Sequence, residues 1–272
     1  MRVGRPIDHV GGIFRRLHDE LVGVPVDFTK LDADDFSPEL AERARTVWGD
    51  RVMTEFRSVQ VMLRFATDVV AAGDPLEVYA GAADAVLDEI RHTALCVGVV
   101  EALGGEPCLP DPLVEEEHDT FEGLPPAERA LIVGINMLAI NETISTCYIR
   151  DLHQRCDHPV LSQVLGATVA DEEAHHEFGW SYIEASIARF DDDARALWRN
   201  VTAHALREHF ADAETVLARV PPEQRRLDAW PEPELAHAGL LGFERQSLLF
   251  ERVYEEELGP KLTALGLLGD AS

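Results

Sequence analysis

Two stretches of the sequence carry residue types that can do chemistry. VLDEIRHTAL (86–95) sets Asp88, Glu89 and His92 in a run that otherwise reads as buried helix, and VADEEAHHEF (169–178) repeats the pattern with Asp171, Glu172 and His175. On a 3.6-residue helix, positions i and i+3 stand about 60° apart around the axis and one turn along it, so one helix can offer a carboxylate and an imidazole to one cation. Unpaired charge on an apolar helix is costly, because desolvation and repulsion drive such groups to neutralise. Divalent cations remove that cost.

A single Glu-x-x-His says little. With 28 Glu and 11 His in 272 residues, about one such pair is expected by chance. The chain holds five: Glu89/His92, Glu115/His118, Glu172/His175, Glu173/His176 and Glu234/His237. Glu115/His118 falls in an acidic, proline-containing loop and Glu234/His237 in the first turn of a late helix, where both read as solvated. The other pairs lie mid-helix. Spacing does not choose between Glu172/His175 and Glu173/His176, since the row through Val164, Thr168, Glu172, His175 and Tyr182 and the row through Val169, His176, Trp180 and Ile183 are both apolar. Aligning DEEAH with DEIRH places Asp171–Glu172–His175 on Asp88–Glu89–His92 and favours the first register.

Two lone acids complete a set. Glu55 shares an apolar stripe with Trp48, Val52, Val59, Met62 and Ala66, although Arg51, one turn earlier, could pair with it instead. Glu142 is the single acidic residue between Glu128 and Asp151. In chain order the candidates are Glu55, Glu89, His92, Glu142, Glu172 and His175, with 34 residues from Glu55 to Glu89 and 30 from Glu142 to Glu172. That is one helix down and the next back, twice: two hairpins, each supplying Glu plus Glu-x-x-His.

The elements that must position these residues are helical. Ser37 reads as an N-cap with Pro38 in the first turn of a helix reaching Ala72. A second is expected from Pro75 to about Leu103, stopped by Gly104 and Gly105, a third from Pro126 to Arg155 and a fourth from Pro159 to Phe190. DDDARALW opens a fifth, and PPEQRRLDAWPEPE separates it from a sixth ending near Gly259. Residues 1–36 form an arm of unassigned structure, 37–190 a four-helix metal-binding core and 191–272 additional helices. No segment alternates like a strand between hairpin signals. The expected class is all-α, in one domain.

Composition narrows the function. Against 24 Lys plus Arg stand 50 Asp plus Glu, a formal charge of −26, which disfavours nucleic acid and anionic membranes as partners. Four cysteines without CxxC spacing read as reduced thiols of a cytoplasmic protein. The N-terminus lacks the apolar core of a signal peptide. The longest apolar stretch, ALIVGINMLAINETISTCYI, carries Asn136, Asn141 and Glu142 and reads as a helix buried in protein.

The ordered set of six resembles the ferritin-like di-iron carboxylate superfamily, over about Ser37 to Phe190. Within it, DEEAHH is similar to the Asp-Glu-x-x-His-His stretch of the p-aminobenzoate N-oxygenase type of di-iron oxygenase. That type carries a further metal-binding His four residues before its second Glu-x-x-His, where this chain has Thr168. The resemblance implies a four-helix bundle in which four carboxylates and two histidines hold two iron ions; a manganese/iron pair is compatible with the same ligands. It also implies an oxygenase or oxidase that activates O2 to oxidise a small organic substrate by N-oxygenation or hydroxylation. Electrons would come from an external donor, since no flavin or nicotinamide fingerprint is present. Iron oxidation and storage is the alternative, and a homodimer is left open.

Around the ligands, Asp88 and Asp171 are expected either to accept from imidazole N–H groups of neighbouring helices or to face solvent. Cys96 reads as a small buried thiol of the cavity wall. Tyr182 either approaches the metals or is a core residue with a satisfied hydroxyl. Phe56, Met62, Leu138 and Ser145 are candidate walls of a substrate cavity.

Overall fold

The computed structural model describes residues 4–23, 25–114, 121–213 and 230–268. Apart from an antiparallel ribbon joining β1 (Arg5–Pro6) to β2 (Cys108–Leu109), the regular elements among them are helical. The N-terminal arm contains α1 (Gly12–Leu21), none of whose residues is buried. Ser37 caps α2 (Pro38–Ala72) by accepting from the Leu40 amide at 3.3 Å, and the helix stops at Gly73, whose φ of 74° suits a residue without Cβ. α3 (Leu76–Ala102) returns antiparallel and packs along α2.

The third long run, Pro126–Arg155, is continuous but not uniform: α4 (Pro126–Val133) passes into a π-helical segment, Gly134–Asn141, and then α5 (Glu142–Arg155). The Asn141 side chain donates to the Asn136 carbonyl at 2.8 Å, satisfying a group that the widened turn loosens. This run is long and apolar enough to cross a membrane, but 78% of its most apolar window is buried inside the protein. α6 (Pro159–Ile187) follows, ending slightly before the expected Phe190. α2 packs on α3 and α4, α6 on α5 and α3, so the four long helices close a ring.

The C-terminal part departs from expectation. After α7 (Asp192–Ala213), a short α8 (Glu232–His237), which was not expected as a separate helix, precedes α9 (Phe243–Val253). Pro231 and Pro233 favour a fresh helix start, and Gly239 at φ 67° ends it. The last run does not stop at Gly259. A π-helical segment, Tyr254–Leu258, leads into α10 (Gly259–Ala264), and the wider turn gives the Pro260 ring room it lacks in a regular α-helix.

Two apolar clusters fill the interior. One contains Met62, Phe65, Ala85, Leu138, Trp180 and Ile183, the other Trp48, Val52, Leu95, Val99, Leu152 and Leu161. On α2, α3 and α6 the candidate ligands lie between the residues of one cluster and those of the other.

Candidate metal centre

Helical period decides which side chains meet. Glu89, His92, Glu142, Glu172 and His175 are each at most 4% exposed, and Glu55 is partly open. The structure brings five of the six candidates into two overlapping trios, Glu55–Glu89–His92 and Glu89–Glu172–His175, with the ligand atoms of each trio within 4.8 Å of one another. Glu89 belongs to both. Its two oxygens face different imidazoles, Oε2 lying 3.7 Å from His92 Nδ1 and Oε1 3.7 Å from His175 Nδ1. Glu172 spans the centre in the same way, 3.5 Å from His92 Nδ1 and 3.7 Å from His175 Nδ1. Glu55 stands on the His92 side at 3.7 Å. Glu142 is outside both trios and bonds to Glu172 instead.

Behind the ligands lies a crossed arrangement. His92 of α3 presents Nε2 to Asp171 of α6 at 3.2 Å, and His175 of α6 presents Nε2 to Asp88 of α3 at 3.2 Å. Each aspartate therefore orients the imidazole of the opposite helix and turns its Nδ1 inward. Arg91 ties the two together, bonding to Asp88 and, at 2.7 Å, to Asp171. Its part was not anticipated from the sequence, although it stands inside DEIRH; the equivalent position of the second motif is Ala174, so one guanidinium serves both halves. Thr146, also not anticipated, donates to the Glu172 carbonyl at 3.4 Å.

Within the second motif the two pairs point different ways. Glu172 and His175 are buried, whereas Glu173 is exposed and pairs with Arg150 and His176 pairs with Glu257 at 2.7 Å. Among the remaining pairs, His237 is not simply solvated: it pairs with Asp157 and its ring packs edge-on against Phe36. Glu115/His118 lies outside the described residues. Arg51 forms no ion pair with Glu55; it donates to the Gly239 carbonyl at 3.0 Å and stacks on Trp48.

Electrostatics describes a site short of positive charge. Burial, with repulsion from neighbouring carboxylates, pushes Glu55 up to about 8, Glu89 upward and Glu142 well upward. In the Glu142–Glu172 pair Glu142 keeps the proton. Burial opposes ionisation of Glu172, but the hydrogen bond from Glu142 and the positive charge of His92 and His175 bring it down to about 2. Burial also opposes charge on the imidazoles, yet Asp171 lifts His92 well upward and Asp88 with Glu172 lifts His175 to about 9.

Six buried polar atoms here have no hydrogen-bond partner: both oxygens of Glu89, one each of Glu142 and Glu172, and Nδ1 of His92 and of His175. At about 1–3 kcal/mol for each unsatisfied buried group, their sum rivals the whole stability of a typical domain, about 5–15 kcal/mol. Cations held by the two trios would satisfy the atoms of Glu89, His92, Glu172 and His175. The oxygen and imidazole donors suit first-row divalent ions, so these residues fit a metal pair.

A cavity of about 400 Å³ adjoins the centre, lined by Glu55, Cys96, Asn141, Ser145 and Thr168 among others. Ser145 and Cys96 are thus wall residues as expected, and Thr168, one turn before Glu172, is in the same wall. Phe56 lines a different cavity, under α1. Met62 and Leu138 are fully buried in the apolar core and line none of these spaces, because their stripe packs helix on helix. The Tyr182 hydroxyl donates to Asp74 at 3.2 Å, the satisfied-core arrangement. The chain matches no protein-family profile, no curated protein and no solved structure.

Proposed function

We propose that this chain is a ferritin-like di-iron carboxylate protein, an oxygenase or oxidase that uses O2 and an external electron donor to oxidise a small organic substrate. Glu55, Glu89, His92, Glu142, Glu172 and His175 would hold two iron ions, or a manganese/iron pair, with Glu89 and Glu172 between the two positions. The observation that carries this reading is the cluster of six partnerless buried ligand atoms converging from α3, α5 and α6, with Glu55 of α2 beside them.

When bound, the iron pair supplies the redox chemistry that O2 activation requires. The chain's own residues do the rest. Asp88 and Asp171, locked by Arg91, keep each imidazole Nε2 protonated and aim Nδ1 at the centre. The apolar clusters at both ends exclude bulk water. Small-molecule oxidation is favoured over iron storage by the cavity of about 400 Å³ reaching Glu55, a volume typical of ligand sites.

The test is anaerobic reconstitution with ferrous iron, metal analysis, and O2 uptake with a panel of organic substrates. About two ions per chain with substrate-coupled uptake is expected. A stoichiometry near one or zero overturns the dinuclear reading. Two ions with uptake that no substrate stimulates, in a cage-sized particle, would favour storage.

A further inference from the structure

The wall of the cavity beside Glu55 contains a cation that forms no ion pair among the described residues. Arg51 lies one turn before Glu55 on α2, about 6 Å along the axis, and both side chains reach this space. Its guanidinium stacks on the Trp48 ring with 4.3 Å to the centroid, and one nitrogen donates to the Gly239 carbonyl at 3.0 Å. Among the described residues it forms no ion pair. A planar fork with five donors thus spends one hydrogen bond on the protein, and the low-dielectric surroundings make an uncompensated charge costly.

The guanidinium is also held in place. The Trp48 indole N–H donates to the Ala238 carbonyl at 3.2 Å, so the turn after α8 fixes both the ring and the arginine resting on it. Gly239 lies against the ring so closely that a Cβ there would fall 2.7 Å from Trp48 Cζ2, and its φ is 67°. The largest share of the cavity wall is aliphatic, from Val47, Ile144, Ile149, Leu152, Leu165 and Leu241, with uncharged polar groups such as Thr54, Asn141 and Gln246 and the rings of Tyr148 and His209 set among them. A single guanidinium in a wall that is mostly apolar suits an amphiphilic monoanion.

We propose that this cavity selects aliphatic carboxylates: Arg51 binds the carboxylate as a bidentate fork, and the aliphatic wall lays the chain toward Glu55. This rests on the reading of the centre as an oxidising site and adds its substrate class. Arginine matches a carboxylate geometrically; of the rings in the wall, Trp48 is covered by Arg51 and His209 is stacked on Phe250, which leaves Tyr148 to meet an aromatic substrate.

Octanoate is the probe, titrated by calorimetry into metal-free and iron-loaded protein, with octanamide as its uncharged counterpart and benzoate as an aromatic acid. Wild-type protein should bind octanoate at least tenfold more tightly than octanamide or benzoate, and Arg51→Gln should lose at least tenfold for octanoate while its octanamide affinity stays the same. Arg51→Lys should recover part of the loss, a point charge replacing the fork. Equal affinity for octanoate and octanamide, or octanoate binding unchanged in Arg51→Gln, overturns the proposal. So does octanoate binding that appears only with iron present, which would place the carboxylate on the metal. Preference for benzoate overturns the aliphatic assignment. Should Arg51→Gln fail to fold, as judged by its melting curve, the octanoate–octanamide comparison on wild-type protein decides. Metal analysis of the same samples separates the two levels: iron at about two per chain without octanoate selectivity sinks only the substrate class, and absent iron sinks the reading of the centre.

Discussion

Replacing Glu55 with Gln should make the metal-free protein more stable at alkaline pH, the opposite of what loss of a native contact usually does. Burial, the largest influence, raises the Glu55 carboxyl from 4.5 to about 8, with repulsion from Glu89 and Glu172 adding to it. A carboxyl raised on folding binds its proton more tightly in the native state. Its contribution is therefore complete below about pH 4.5 and is lost as pH climbs through about 8. At about 1.4 kcal/mol per pH unit, that gap is worth at most about 5 kcal/mol. The Glu55 side chain keeps 17% of its surface exposed, and water there brings the figure down to about 2–3 kcal/mol. Gln is a neutral isostere of the protonated acid and escapes the loss. Glu89, Glu142 and Glu172 titrate in both proteins and largely cancel from the difference. Melting curves of chelator-treated wild-type and Glu55→Gln protein should thus coincide near pH 4.5 and diverge to roughly 5–10 °C above pH 8, the variant melting higher, at about 2–4 °C per kcal/mol. With metal bound the order should reverse, since the wild-type carboxylate then neutralises a cation. A metal-free wild type that matches or exceeds the variant at high pH would refute the account of Glu55 as a buried, cation-deficient ligand.

Three further outcomes follow from the same geometry. Asp171→Asn or Asp88→Asn should each weaken metal binding about 10–100-fold without removing a ligand, read by competition with a chelator, and Arg91→Ala should disturb both imidazoles at once. His175→Ala should lose metal under loading conditions where His176→Ala keeps it, because His176 is engaged by Glu257 rather than the centre; the reverse result would move the second half-site by one residue. Glu142→Ala should lower metal-free thermal stability modestly, since the protonated Glu142 donates to the buried Glu172 carboxylate and the variant removes that bond, while metal analysis shows reduced loading; full loading would show that Glu142 is no ligand.

The long helices were legible because their signals are local. Ser37–Pro38 and Gly73 mark the ends of α2 by capping chemistry that any solvated helix needs. The inward direction of Glu55, Glu89, His92 and Glu172 follows from apolar residues three and four positions away. The π-helical segment before Glu142 left no such trace, since a widened turn is stabilised by packing and by a contact such as Asn141 to Asn136. Gly259–Pro260 carries a strong local stop signal, and the packing of the last helical run overrode it.

Residue types and spacing alone determined that six candidate ligand side chains recur on four successive helices in two matched halves, because helical period is a property of the chain. Spacing could not choose between Glu172/His175 and Glu173/His176, which differ by about 100° around one helix. Only the packed structure decided that, by burying one pair and offering the other to Arg150 and Glu257. It also decided that Asp88 and Asp171 cross between helices to each other's histidine, that Arg91 holds both, and that Arg51 turns away from Glu55 toward Trp48 and Gly239. These contacts join residues far apart in the chain, some by almost two hundred positions. Their geometry depends on how helices cross and on which charges find partners first, and neither is encoded within one helical turn.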